Sequence, residues 1–239
     1  MAQLVQRGAI DPVFAGLLAT VASSNVSIVV VSRSAKSGKS TLLRALLDFR
    51  PEGSEVIYLR GWHDPFKFFE TRDGQRASDR MVLVANELSP YLPTYVWGTT
   101  ARRAIAVAQR PGIVLRATAH ATSRQELLSL VTTLYESSEE TAIAWNPVVI
   151  GLSPNNGRAP LGWSEMELQV GDVLIHERVL RSSRRTGYAR PCCESKRVCH
   201  ALVSAADGPH RIPFGGPDRL DMVLTDFVTQ FEEMTSAPV

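Results

Sequence analysis

Cysteine is scarce in this chain: three in 239 residues, two of them adjacent at Cys192-Cys193 and the third at Cys199. Such a count excludes a disulfide-stapled secreted scaffold and suits a reducing compartment. Long apolar runs are missing too, and none approaches the ~18 residues of a membrane-spanning helix. The nearest thing to a signal peptide, Val13–Ala22, has only Arg7 ahead of it and is approached through Asp11-Pro12, which marks a helix start instead. Net charge is almost absent: 26 Lys+Arg against 24 Asp+Glu leave +2, which excludes a nucleic-acid binder working by bulk charge. There is no internal repeat and no low-complexity tract. What remains is a globular balance, 44% hydrophobic and 21% charged, in a chain sized for one large domain or a core with a small annex. The expectation is a soluble, cytoplasmic protein.

Asp11 followed by Pro12 predicts an N-cap and a first-turn proline, with Val13, Leu17, Leu18 and Val21 recurring at helical spacing. Ile28-Val29-Val30-Val31 is short, β-branched and apolar on both faces, as a strand buried inside a parallel sheet should be. A small-residue turn then leads into Lys39–Phe49, whose Leu42, Leu43, Leu46 and Leu47 form one apolar stripe. Strands at Val56–Leu59, Met81–Ala85 and Ile113–Ala117 follow, with helices at Thr99–Gln109 and Ser123–Tyr135. This alternation predicts an α/β fold: a parallel sheet with helices on both faces. Trp145–Ile150 reads as one more strand, Gly151–Gly162 as loop, and Val173–Leu180 and Val198–Ser204 as strands. Gly216-Pro217-Asp218 opens a last helix, with Leu220, Leu224, Phe227 and Phe231 on one stripe. The expected organisation is a core over 1–150 and a small, partly β C-terminal annex over 151–239, carrying a basic stretch and that terminal helix.

The most informative segment is the turn from Ser32 to Thr41, Ser-Arg-Ser-Ala-Lys-Ser-Gly-Lys-Ser-Thr, between a strand and a helix. Gly38-Lys39-Ser40 matches the second half of the P-loop pattern G-x-x-x-x-G-K-[ST]. The chemistry accounts for the residue types. A glycine lets the backbone approach phosphates, the helix N-terminus supplies N–H donors, and the lysine reaches the β- and γ-phosphates. The candidate nucleotide contacts are therefore Ser34, Ala35, Lys36, Ser37, Gly38, Lys39, Ser40 and Thr41, with ATP as cofactor and the Ser40 hydroxyl as the Mg²⁺ ligand. The pattern's first glycine falls on Arg33, which would have to accept the tight turn, and Lys36 lies inside the loop. The alternative is a coincidental Gly-Lys-Ser-Thr in an unrelated fold.

Hydrolysis also needs a carboxylate to position water and a group that senses the γ-phosphate. Asn86-Glu87 directly follows the strand Met81–Ala85, and His120 follows Ile113–Ala117, so Glu87 and His120 lie at the strand ends where ligands bind in open parallel sheets. The competing readings are a solvated loop carboxylate and a hydrogen-bonded strand-end histidine. Together, strand–P-loop, strand–Asn86-Glu87 and Thr118-Ala119-His120-Ala121-Thr122-Ser123-Arg124 resemble the type II/type IV secretion and pilus ATPase superfamily, most of all its tight-adherence branch. That resemblance spans roughly residues 12–135. It implies a RecA-like P-loop NTPase core and Mg²⁺-dependent ATPase activity, with Glu87 in an atypical Walker B and His120 in a histidine box. It also puts Asp64, within His63-Asp64-Pro65-Phe66-Lys67-Phe68, in the family's acidic box, where His63 and Lys67 replace glutamates. Ser89 stands where the family has an arginine, Pro90–Gly98 reads as an insertion, and the family's large N-terminal clamp has no counterpart.

The family works as hexameric rings with arginines donated across the interface, which implies a ring-type homo-oligomer and an inner-membrane secretion or pilus partner. Arg72, Arg76, Arg80, Arg102 and Arg103 are the candidate donors. The departures from the family keep open a catalytically impaired nucleotide-binding regulatory subunit; a P-loop kinase would need an acceptor pocket and a lid, and the sequence offers neither. Cys192, Cys193, Cys199 and His200 lack the paired spacing of a structural zinc site, and the cysteines read as buried or free thiols. The basic stretch Arg178–Arg197 reads as a solvated hairpin tip or a docking patch, and its single aromatic, Tyr188, gives no support for base stacking.

Overall fold

The computed structural model describes residues 1–67, 80–136, 145–154, 163–170, 173–182, 194–205 and 208–213. Helices α1 (Ala2–Gln6) and α2 (Pro12–Ser23) precede β1 (Ile28–Val31) and α3 (Lys39–Leu47). Then come β2 (Glu55–Tyr58), β3 (Met81–Leu88), α4 (Gly98–Val107), β4 (Ile113–Ala119) and α5 (Arg124–Glu136). Five further strands follow: β5 (Val148–Pro154), β6 (Trp163–Val170), β7 (Val173–Ser182), β8 (Glu194–Ala205) and β9 (Gly208–Pro213). They form one mixed sheet in the order β2-β3-β4-β1-β5-β6-β7-β8-β9. The first five in that order are parallel, and from β6 onward each strand runs antiparallel to its neighbour.

Alternation along the buried strands divides the core in two. Ile28 and Val30 face a layer built from α2 and α3, through Phe14, Leu18, Leu42 and Leu46. Val29 and Val31 face α4 and α5, through Ala104, Ile105, Leu127 and Val131. All four strand residues are fully enclosed, so β1 is the centre of the sandwich. Truncating Leu46, which has no exposed surface, would cost about 2–5 kcal/mol.

Asp11 caps α2 as its sequence predicts, accepting the Val13 N–H at 2.8 Å, with Pro12 in the first turn. Leu18 and Val21 of the expected stripe are buried, but at its start Val13 is 49% exposed and Phe14 takes the core position. At its other end Arg116, on the same sheet face in β4, donates to Ala22 O at 2.8 Å and Ser24 O at 3.4 Å. Those carbonyls lie where a helix has run out of its own donors. Burial pushes the Arg116 guanidinium down to about 9.

Several boundaries move. β3 extends through Leu88, with a register shift between Ala85 and Leu88, and β4 runs to Ala119. β5 lies three residues later than the apolar run suggests, so residue 150 falls inside it. The segment 151–154, expected as loop, is strand; β6 and β9 are strands the sequence did not announce. Trp163, Met166 and Leu168 of β6 join the same core cluster as Ile28 and Val30. The expected helix after Gly216, Cys192, Cys193, Arg72 and Arg76 lie outside the described residues. No helix among the described residues is long and apolar enough to cross a membrane.

Candidate functional site

β1 sits between β4 and β5, although the chain visits β2 and β3 before it returns to β4. The crossover through α3 lies on one face and those through α4 and α5 on the other, so the strand order reverses at the C-terminal end of β1. Crevices at such reversals are where open α/β sheets bind ligands. The 32–38 loop, Glu87 and His120 all lie at this edge.

The loop carries two left-handed residues, Lys36 at φ 57° and Gly38 at φ 89°. Arg33, the position expected to bear the tight turn, does not have a positive φ, which explains why a glycine can be missing there. Gly38 is the N-cap of α3 and makes no side-chain cap, so the helix opens with bare amides. Arg33, Ser34, Ala35, Lys36, Ser40 and Thr41 are exposed, whereas Ser37 and Lys39 are buried. Among the described residues the Lys39 ammonium has one acceptor, Ser34 O at 3.4 Å. Burial lowers its pKa, and the nearby Glu87 carboxylate pulls it partly back up.

Glu87 sits in the irregular end of β3. Its Oε2 accepts from Thr118 Oγ1 at 3.0 Å, while its Oε1 is buried without a hydrogen-bond partner among the described residues. Asn86 O is within reach of the same hydroxyl, whose single proton is shared between the two acceptors and ties the end of β3 to β4. The His120 ring bridges the two sides of the site: Nδ1 lies 3.3 Å from Arg33 O, and Nε2 lies 3.9 Å from Glu87 Oε1. With the proton on Nδ1 donated to Arg33 O, the ring becomes a charged partner for Glu87 only on gaining a second proton. Among the described residues Ser32 Oγ and Ser37 Oγ are likewise buried without a hydrogen-bond partner. Beside the loop, a cleft of about 120 Å³ is lined by Ser32, Arg33, Ser34, Thr122, Gly151 and Glu167, among others.

No protein-family model matches this chain, and no curated protein does.

Lys39, Glu87 and His120 thus share one locality. Asp64 belongs elsewhere: Oδ2 accepts Arg60 N–H at 3.0 Å, Oδ1 accepts Phe66 N–H at 2.9 Å, and its own N–H donates to Thr100 Oγ1 at 2.7 Å. No contact among the described residues joins it to the other three. The candidate arginines differ in occupation. Arg102 donates to Leu134 O, Arg103 lies 4.5 Å over the Phe66 ring, and Arg80 donates to Glu52 O. Among the described residues no group of three His, Cys, Asp or Glu is placed to hold a metal.

Two residues escaped the sequence reading. Thr118 had a legible signal, a polar residue on a buried strand that is otherwise apolar except for Arg116. Trp163 had none, because its role depends on β6 lying beside the loop: its Nε1–H donates to Ser37 O at 2.6 Å.

Proposed function

We propose that this chain binds ATP at the β1–α3 loop and hydrolyses it with Mg²⁺, as a RecA-like P-loop protein and a reduced relative of the secretion and pilus motors it resembles. One observation carries the reading. Around a single loop lie a buried lysine with one long hydrogen bond, a bare helix N-terminus, and three buried oxygens with no hydrogen-bond partner among the described residues, Glu87 Oε1, Ser32 Oγ and Ser37 Oγ. Buried polar groups are nearly always paired, so a cluster left unpaired is what a polar ligand would complete. A phosphate tail fits the donor set: it would accept from the loop amides and from Lys39, with the helix dipole favouring the anion.

Lys39 would hold the phosphate charge, its burial strengthening the attraction. Ser40, exposed in the first turn of α3, would hold Mg²⁺, which supplies charge neutralisation on the phosphate oxygens when bound. Glu87, fixed through one oxygen by Thr118, would use the other to orient the attacking water. His120, between Arg33 O and Glu87, would couple the loop's position to that carboxylate. Titrating MgATP into the wild type and Lys39→Ala tests the core of this. Wild-type binding with an affinity loss of about a hundredfold in the variant is expected for a charge-assisted phosphate contact. Equal affinities would end the proposal.

Nucleotide binding without turnover is a second reading, favoured by the engagement of both Asp64 oxygens in its own loop. MgATP binding with no phosphate release by the wild type would select it. The resemblance extends the proposal to a ring-type homo-oligomer at an inner-membrane apparatus, for which size in solution with and without MgATP is the measurement.

A further inference from the structure

We infer that Trp163 is a positioning residue for the phosphate loop, setting the direction of the Gly38 N–H from a strand outside the parallel core. This rests on the reading of residues 32–41 as a phosphate site. Trp163 opens β6, which is antiparallel to β5, and its side chain is 5% exposed. Its indole N–H donates to Ser37 O at 2.6 Å, a buried bond. The ring also fills the space beside Gly38, where an added Cβ would come within 2.9 Å of Cζ2 and 3.1 Å of Nε1.

Peptide geometry turns this contact into a consequence. The 37–38 peptide is trans and planar, so its C=O and N–H point in opposite directions. Holding Ser37 O against the indole therefore aims the Gly38 N–H away from Trp163. That N–H has no partner among the described residues, and it is the amide that a bound phosphate would meet first at the N-cap of α3. Without the indole donor, Ser37 O would be a buried acceptor lacking its partner, and the peptide would gain by rotating toward another donor or water. Gly38, free of a Cβ, offers little resistance to that rotation. The ring closes the other route, leaving no room for the loop to collapse onto β6.

The decisive variant is Trp163→Phe, which keeps most of the ring and removes the donor. It is compared with wild type in three measurements: thermal midpoint, affinity for MgATP and inorganic triphosphate, and amide exchange of peptides covering 33–38. The expected result is a midpoint within about 3 °C, affinities for both ligands weaker by about fivefold, and faster exchange confined to 33–38. Equal loss on both ligands locates the effect at the phosphates rather than the base. Unchanged affinity together with unchanged loop exchange overturns the assignment. If wild type binds neither ligand, the phosphate reading fails by itself. The exchange arm then still decides whether Trp163 sets the loop: acceleration at 33–38 keeps the conformational claim, and its absence removes it.

Discussion

Two carboxylates stand near strand ends of one sheet, and their surroundings divide the labour between them. Asp64 follows β2, and both its oxygens accept backbone N–H groups of the turn it occupies, Arg60 and Phe66. That is an Asx-type arrangement, a side chain closing its own loop. Glu87 lies within the register shift of β3; one oxygen is held by Thr118 and the other is buried with no hydrogen-bond partner among the described residues. A carboxylate whose lone pairs are committed to backbone amides shapes the chain. One held at a single oxygen keeps an acceptor for chemistry. The neighbours agree: Glu87 raises the pKa of Lys39 and its oxygen lies 3.9 Å from His120, whereas the Asp64 carboxylate meets backbone amides and its own backbone N–H donates to Thr100 Oγ1 at the start of α4. Residue type and strand-end position alone do not separate the two; hydrogen-bond occupancy does.

The contrast is sharpened first by Glu87→Gln. The amide retains an oxygen for Thr118 but loses the charge, so phosphate release should fall by at least about a hundredfold while MgATP affinity stays within a few-fold. Asp64→Ala should do the reverse. Losing two backbone partners costs about 1–3 kcal/mol in urea unfolding, and affinity and turnover should stay within a few-fold. A fall in phosphate release as deep as that of Glu87→Gln, with the fold intact, would erase the distinction and bring Asp64 into the chemistry.

Much of the scaffold was legible because its signals are local. Ile28–Val31 is apolar on both faces, and the Leu42–Leu47 stripe sits entirely in the core. Where the reading slipped, another force outweighed the local pattern. Gly151 and Pro154 suggested a loop, yet Gly151 lies in β5 opposite Glu167, whose carboxylate would be 3.4 Å from an added Cβ. A glycine in a strand can mark close approach rather than a break. β6 alternates, with buried Met166 and Leu168 between partly exposed Glu165, Glu167 and Gln169, but the preceding prolines and glycines masked its start. Pro209 and Pro213 of β9 are tolerated because that strand ends the sheet. At the site, the proximity of Glu87, His120 and Lys39 follows from strand order. The commitment of Asp64 to its own loop and the reach of Trp163 to Ser37 are contacts that no spacing rule encodes.

The smallest expected effect tests the Glu87–Lys39 proximity without any ligand. Burial holds Lys39 below the ordinary lysine value of 10.5, and Glu87 opposes that shift. The unfolded chain keeps its proton up to the ordinary value, while the folded chain releases it at lower pH. Between the two values the unfolded state binds more protons, so this lysine makes stability rise with pH, its charged form being the costly one in the fold. Urea midpoints at about pH 8 and about pH 10 should therefore show wild type gaining relative to Lys39→Met over that interval. Glu87→Gln removes the opposing charge, so the folded value drops further and the gain begins at lower pH. Asp64→Ala leaves the interval where it was. If Glu87→Gln does not move it, the two groups do not sense each other, and Glu87 loses the partnership that distinguishes it from Asp64.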